Sequence, residues 1–257
     1  CRALLAFVIY LFVYNLTKNK IAGLIAAPFV MLGYGLVDPN NFIALLKKGV
    51  LPSEMTFLHY ARPINPNVSA LFFFGYLLCL WKYLYGPVRN KWYGFLSTLL
   101  LGLSFYVYLF TWTFIFVFNG MLIIVFLFKH DREKIKKIIW LSLLALPISI
   151  FYWINYWNAS QSPWYAETAM RFGFVNSHAW NISKLVIVAA AAFIASYRIL
   201  DERARVFFIA FFPTAFFVVN EQVITGYYIF NDHYHWNFNT PIVIILLVCL
   251  LFAWLNK

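Results

Sequence analysis

A chain of 257 residues that is 63% hydrophobic, 22% aromatic and only 11% charged falls outside the range of soluble domains, which run near half apolar and about a quarter charged. Its formal charge of +11 would fit a nucleic-acid partner if the cations formed one face or interleaved with exposed aromatics. They do neither, which sets nucleic-acid binding aside. The three cysteines imply no disulfide framework, since Cys79 and Cys249 lie inside apolar runs and read as packed thiols.

In chain order the apolar runs predict about nine membrane-spanning helices, roughly 2–15, 21–37, 67–85, 92–108, 112–128, 136–154, 184–199, 206–221 and 240–256. A helix needs about 20 apolar residues to cross the hydrocarbon, where every backbone amide must bond internally. Trp92–Phe128 is too long for one crossing, so a break is expected at Tyr108–Trp112, with Thr111-Trp112-Thr113 as a turn at the interface. The fold class expected is all-α: a polytopic membrane bundle forming one transmembrane domain over residues 1–257. The first residues already belong to a span, so the chain is expected to be the C-terminal portion of a longer protein.

Charge is distributed by connection. Short basic loops hold Lys18 and Lys20; Lys82, Arg89 and Lys91; Lys129 to Lys137; and Arg198, Arg203 and Arg205. The alternate connections are longer, aromatic and mixed in charge. All but six of the 20 Lys and Arg fall on the basic side or at Lys257; the exceptions are Arg2, Lys47, Lys48, Arg62, Arg171 and Lys184. The positive-inside rule makes the basic side cytoplasmic, so polar chemistry is expected on the outer face of a membrane, here the prokaryotic cytoplasmic membrane.

Three outer loops are long enough to carry structure. In the first, Asp38-Pro39 starts and Gly49 stops a short amphipathic surface helix. In the second, Ser162-Pro163 starts a helix and Gly173 ends it. The third, Glu221–Asn239, holds a Gly226 turn and the polar string Asn231 to Trp236.

Candidate site residues come from these loops. Arg62 stands at headgroup level, where a guanidinium either holds a phosphate bidentately or simply anchors the helix. His59 precedes it, and Arg171 is a second candidate cation for a substrate phosphate. Asp38, Glu54 and Glu221 are the outer carboxylates available as a base; Glu221 would be costly facing lipid and is expected to face a polar cavity or to pair with Arg62 or Arg171. Asp232, His233 and His235 offer substrate or phosphate contacts. They are also a divalent-metal possibility, although the two histidines share a face only in an extended segment. No cofactor or metal is expected. Tyr106, Tyr108, Trp112 and the Trp153–Trp164 aromatics could stack on a sugar or line a prenyl groove, or belong to the interfacial belt. Few ionisable groups lie at mid-membrane depth, which weakens an ion-coupled carrier.

The opening stretch Leu11-Phe-Val-Tyr-Asn-Leu-Thr-Lys-Asn-Lys-Ile-Ala-Gly-Leu-Ile-Ala-Ala-Pro28 resembles a helix hairpin of polytopic GT-C-type glycosyltransferases. The outer loop after it, the Arg62-Pro63 step and the close pair within Trp92–Phe128 are similar to that superfamily's layout. Asn220-Glu-Gln-Val-Ile-Thr-Gly226 followed by His233 is similar to a motif of uncharacterised bacterial membrane proteins of this general type. The resemblance implies sugar transfer from a polyprenyl-phosphate donor to an acceptor at the outer membrane face, with membrane lipid and the lipid-linked sugar as partners. It implies a catalytic acid in a loop preceding Cys1, and supporting roles for Arg62 or Arg171 and for the Asp232–His235 loop. Competing expectations are a polymerase or ligase of lipid-linked polysaccharide, a lipid or solute transporter (flippase), and a non-catalytic scaffold.

Overall fold

A computed structural model describes residues 2–32, 47, 66–87, 91–171, 175–228, 230 and 232–256. In order these form α1 (Arg2–Thr17), α2 (Lys20–Leu32), α3 (Asn67–Tyr85), α4 (Lys91–Val107), α5 (Leu109–Phe128), α6 (Arg132–Ile148), α7 (Ile150–Ser160), α8 (Tyr165–Arg171), β1 (Val175–Asn176), α9 (Lys184–Ala195), α10 (Glu202–Phe217), α11 (Gln222–Thr225), β2 (Tyr227–Tyr228), α12 (Asp232–Tyr234) and α13 (Thr240–Leu255). Among the described residues the regular structure is helical apart from β1 and β2, which form a two-residue antiparallel pair.

Among the described residues four helical stretches are long and apolar enough to cross a membrane: α3, α5, the run Glu202–Thr225 and the run Asp232–Leu255. The pair α6–α7, bent by 55°, makes a fifth if taken as one span, and α1, α2 and α9 are shorter apolar helices. The described residues therefore hold four or five helical stretches that could span a membrane, as in a helical membrane protein, and the count of nine goes beyond that. The lipid-facing surface agrees. Phe128 is 83% exposed and Trp92 74%, a display that water would penalise and hydrocarbon does not.

The breaks follow local chemistry. The division of Trp92–Phe128 falls at Tyr108, one extended residue at φ −165°, ψ 123°. Thr111-Trp112-Thr113, expected as the turn, lies inside the first turns of α5. The expected single span 136–154 is instead a bent pair running to Ser160, because Pro147 clashes with a straight continuation. Tyr106 Oη donates to the Ile148 carbonyl at the bend, 2.7 Å away. The surface helix of the second loop starts at Tyr165, three residues after Ser162, whose hydroxyl accepts the Trp164 amide at 3.3 Å. Gly173, and the Asp38–Gly49 helix apart from Lys47, lie outside the described residues.

Packing is dominated by interlocking rings. Phe73 meets Phe238 and Phe114 edge-on, with centroids 4.9 and 5.4 Å apart, and Phe12 meets Phe207 at 5.5 Å. The helix α13 is apolar all round and sits inside, against α1, α2 and α9, as expected of a helix without a polar face. The helices α4 and α6 approach closely at Gly102, where an added Cβ would lie 2.6 Å from the Ile148 Cβ; small residues allow such contacts in membranes. One polar chain crosses the apolar interior: Tyr76 Oη donates to Asn119 Oδ1 at 2.7 Å, and Asn119 Nδ2 donates to Ser142 Oγ at 3.0 Å. It ties α3, α5 and α6 together without any formal charge.

The bundle has two unlike ends. At one, Lys129 pairs with Glu202, Lys134 with Asp131 and Lys137 with Glu133. There Lys134 and Arg203 lie over the Tyr85 ring, Lys82 over Tyr93 and Lys137 over Tyr83. The Phe12–Phe207 contact carries the Lys18–Lys20 turn toward the same end. The basic connections separated by the sequence pattern thus gather on one rim. Asp131 caps α6 by accepting the Lys134 amide at 3.1 Å. Partial burial opposes its charge, but the bonds from Lys134 outweigh that and hold the carboxyl below its ordinary range.

Candidate functional site

At the opposite end, the two long loops that follow α7 and α10 are clamped together by amide side chains. Asn220 pairs with the backbone of Asn181 as one strand pairs with another: Oδ1 accepts the Asn181 amide at 2.7 Å and Nδ2 donates to its carbonyl at 2.9 Å. Two residues on, Gln222 Nε2 donates to the Ala179 carbonyl at 2.8 Å. Gly226, at φ +76°, turns the chain in the left-handed region open to glycine. That turn delivers Tyr227–Tyr228 to β1, and the Ser177 amide bonds the Gly226 carbonyl at 3.0 Å. His178 closes the clamp through Nδ1 and the Val223 carbonyl, 3.1 Å apart.

Between the two clamping amides sits Glu221. Both carboxylate oxygens are buried and neither has a hydrogen-bond partner among the described residues. Burying such a group without a partner is costly, and buried ionisable groups at membrane depth mark working sites. Glu221 lies close enough for its charge to act on the Tyr234 phenol. Tyr234, only 4% exposed, exchanges a hydrogen bond with Thr113 Oγ1 at 2.8 Å.

The third loop re-enters the bundle through α12 and a π-helical turn, His235–Asn239, that leads into α13. Such turns are frequent at functional sites. The segment is helical rather than extended, so His233 and His235 diverge. His233 Nδ1 makes a short hydrogen bond with Tyr108 Oη, and its ring stacks on Phe110 at 4.7 Å. His235 Nδ1 instead meets Ser183 Oγ at 3.2 Å. Asn237 Nδ2 reaches Tyr108 Oη at 3.4 Å, so the extended residue between α4 and α5 brings its phenol to the loop. Asn239 Oδ1 is buried without a hydrogen-bond partner among the described residues.

The fold thus brings Glu221, Tyr234, Thr113, Tyr108, His233 and Asn237 to one end. This group offers a carboxylate, an imidazole, hydroxyls and an amide beside aromatic faces, which suits a polyhydroxylated ligand: hydrogen bonds to hydroxyls, stacking on a ring face, and a base for one proton. Among the described residues no group of three His, Cys, Asp or Glu is placed to hold a metal ion.

Of the candidates from sequence, Glu221 and His233 lie at the same end of the bundle, His235 turns to a different partner and Asp232 is exposed. Tyr106 and Trp112 belong to a neighbouring aromatic group, where Trp112 stacks on Phe105 at 4.4 Å and Tyr106 holds the α6 bend. Asp38, Glu54, His59 and Arg62 lie outside the described residues, as does the Arg171 side chain at the end of α8. Sequence reading named Tyr108 only as a stacking or belt aromatic, missed Thr113, Tyr234 and Asn237, and missed the clamping role of Asn220 and Gln222. The available signal was three consecutive polar residues, Asn220-Glu221-Gln222, ending an apolar run. The chain matches no protein-family model, no curated protein and no solved structure.

Proposed function

We propose that the chain is the membrane-embedded part of a GT-C-type glycosyltransferase that moves a sugar from a polyprenyl-phosphate donor to an acceptor at the outer membrane face. The observation that carries this reading is the Glu221 carboxylate, unpartnered among the described residues and held between two clamps beside Tyr234. In the reaction, Glu221 takes the proton of the acceptor hydroxyl as that oxygen attacks the anomeric carbon. The bond from that carbon to the polyprenyl phosphate breaks, and the phosphate leaves with the electron pair. Tyr108, His233 and Asn237 contact the acceptor or the leaving phosphate, and Arg62 or Arg171 neutralises the charge developing there. The orientation rests on the positive-inside rule: the basic rim is cytoplasmic, the Glu221 end faces out, and nine crossings are needed to alternate the connections.

The test is transfer from a panel of radiolabelled polyprenyl-phosphate hexoses, with the full chain in proteoliposomes. A positioned base contributes about 10²–10⁴-fold. Glu221→Gln, nearly isosteric, should lower transfer at least about 100-fold and leave thermal stability unchanged. Full activity in that variant removes Glu221 as the base.

One observation favours a carrier instead. The α6–α7 break after Pro147 is a discontinuous helix, the device around which carriers build substrate sites. Movement of an intact lipid-linked sugar across the bilayer, with no new glycosidic bond, would select that reading.

A further inference from the structure

The basic rim holds a second polar feature with no role in the transfer reading. Between the end of α5, the turn Tyr197–Ile199 and the start of α10 lies an open cavity of about 350 Å³, walled by Val125, Phe128, Val206 and Ile209 and edged by Lys129 and Arg205. A second hollow, of about 510 Å³, adjoins it through Tyr197 and includes Ile194 and Arg198. Arg205 Nε is buried and has no hydrogen-bond partner among the described residues, and its guanidinium lies over the Tyr197 ring at 5.0 Å. A planar cation held by stacking, with a buried N–H left over, is prepared for an oxyanion. Among the described residues the one carboxylate on the cavity wall is Glu202, and it is turned onto Lys129.

We propose that this cavity binds one anionic phospholipid of the leaflet at the basic end. Its headgroup phosphate bonds Arg205 and Arg198, and its acyl chains lie along Phe128, Ile194 and Ile209. Three observations fix the occupant as a lipid. The walls are apolar and continue into the most exposed surface of the bundle, with Phe128 at 83% and Ile194 at 72%. The cations sit where those apolar helices end, at headgroup depth. Charge at the cavity edge favours an anion over a zwitterion, with Lys129, Arg198 and Arg205 set there against the Glu202 carboxylate. An arriving phosphate competes with Glu202 for Lys129, so Glu202 weakens binding. The inference needs only that the protein is in a membrane and is independent of the glycosyltransferase reading.

The experiment is native mass spectrometry of the purified full chain titrated with phosphatidylglycerol or phosphatidylcholine of equal chain length. One phosphatidylglycerol should be retained about tenfold or more tightly than phosphatidylcholine, because its net negative charge meets the cavity's cations uncompensated, whereas the choline ammonium cancels that charge. Arg205→Gln should erase the preference, Arg205→Lys should reduce it in part, and Glu202→Gln should strengthen retention. Arg132→Gln, outside the cavity lining, should leave it unchanged. If Arg205→Gln does not fold, the opposite effects of Arg205→Lys and Glu202→Gln still decide the matter. Equal retention of the two lipids, indifference to Arg205, or full displacement by millimolar inorganic phosphate would overturn the proposal.

Discussion

The two ends of the bundle handle polarity in opposite ways. At the basic rim the formal charges are many and mostly partnered: Lys129, Lys134 and Lys137 meet carboxylates, and Lys82, Lys134, Lys137, Arg203 and Arg205 lie over tyrosine or phenylalanine rings, with one buried Arg205 N–H left over among the described residues. At the far end the groups are mostly uncharged amides, phenols and imidazoles, joined across loops distant in sequence, with one carboxylate left unmatched. Exposed pairs of the first kind contribute little stability; they set orientation and attract lipid. A buried network of the second kind is costly when incomplete. The far end therefore holds strain suited to a ligand, while the basic rim holds the protein in place.

Variants at the two ends should separate these roles. The largest effect is the loss of transfer in Glu221→Gln at constant stability. Next, Asn220→Ala removes the Asn181 pairing and leaves a buried amide and carbonyl unmatched, which costs about 1–3 kcal/mol. A depressed melting temperature together with reduced transfer is the expected outcome, and an unchanged melting temperature would show that the loops are not clamped there. At the basic rim, His130 is held at φ 55°, a region unfavourable to residues with a side chain. His130→Gly should raise stability by about 1 kcal/mol at most and leave transfer as it was. The smallest effect is Glu133→Gln, which breaks the pair with Lys137 (2.6 Å) and should cost under about 0.5 kcal/mol by thermal unfolding.

Much of the architecture could be read from residue order, because lipid imposes one backbone solution and because Lys and Arg mark alternate ends. The break at Tyr108 was visible as excess length, and the Gly226 turn as a glycine among polar residues. The α6–α7 bend was harder to place, since a proline in an apolar run allows either a gentle kink or a redirected helix. At the candidate site, Glu221 was conspicuous as a carboxylate ending an apolar run. Its neighbours were not. Tyr108, Thr113 and Tyr234 read as three more aromatic-belt or helix residues among many, and their meeting depends on contacts more than a hundred positions apart in sequence. His233 and His235 were read together, whereas a helical backbone turns consecutive odd positions to different partners. Asn220 and Gln222 look like loop polarity until the backbone they imitate is opposite them.

Orientation decides whether the Glu221 end can meet an outer-leaflet donor, and it can be measured on single-cysteine variants in intact cells. The native Cys79 and Cys249 are buried, so an impermeant maleimide should report added thiols; Cys1 would be replaced by serine. Tyr227→Cys, at a position 59% exposed, should label in intact cells, and Arg132→Cys should label only after lysis. Labelling of Arg132→Cys in intact cells with protection of Tyr227→Cys would place the unpartnered carboxylate on the cytoplasmic side and contradict the account.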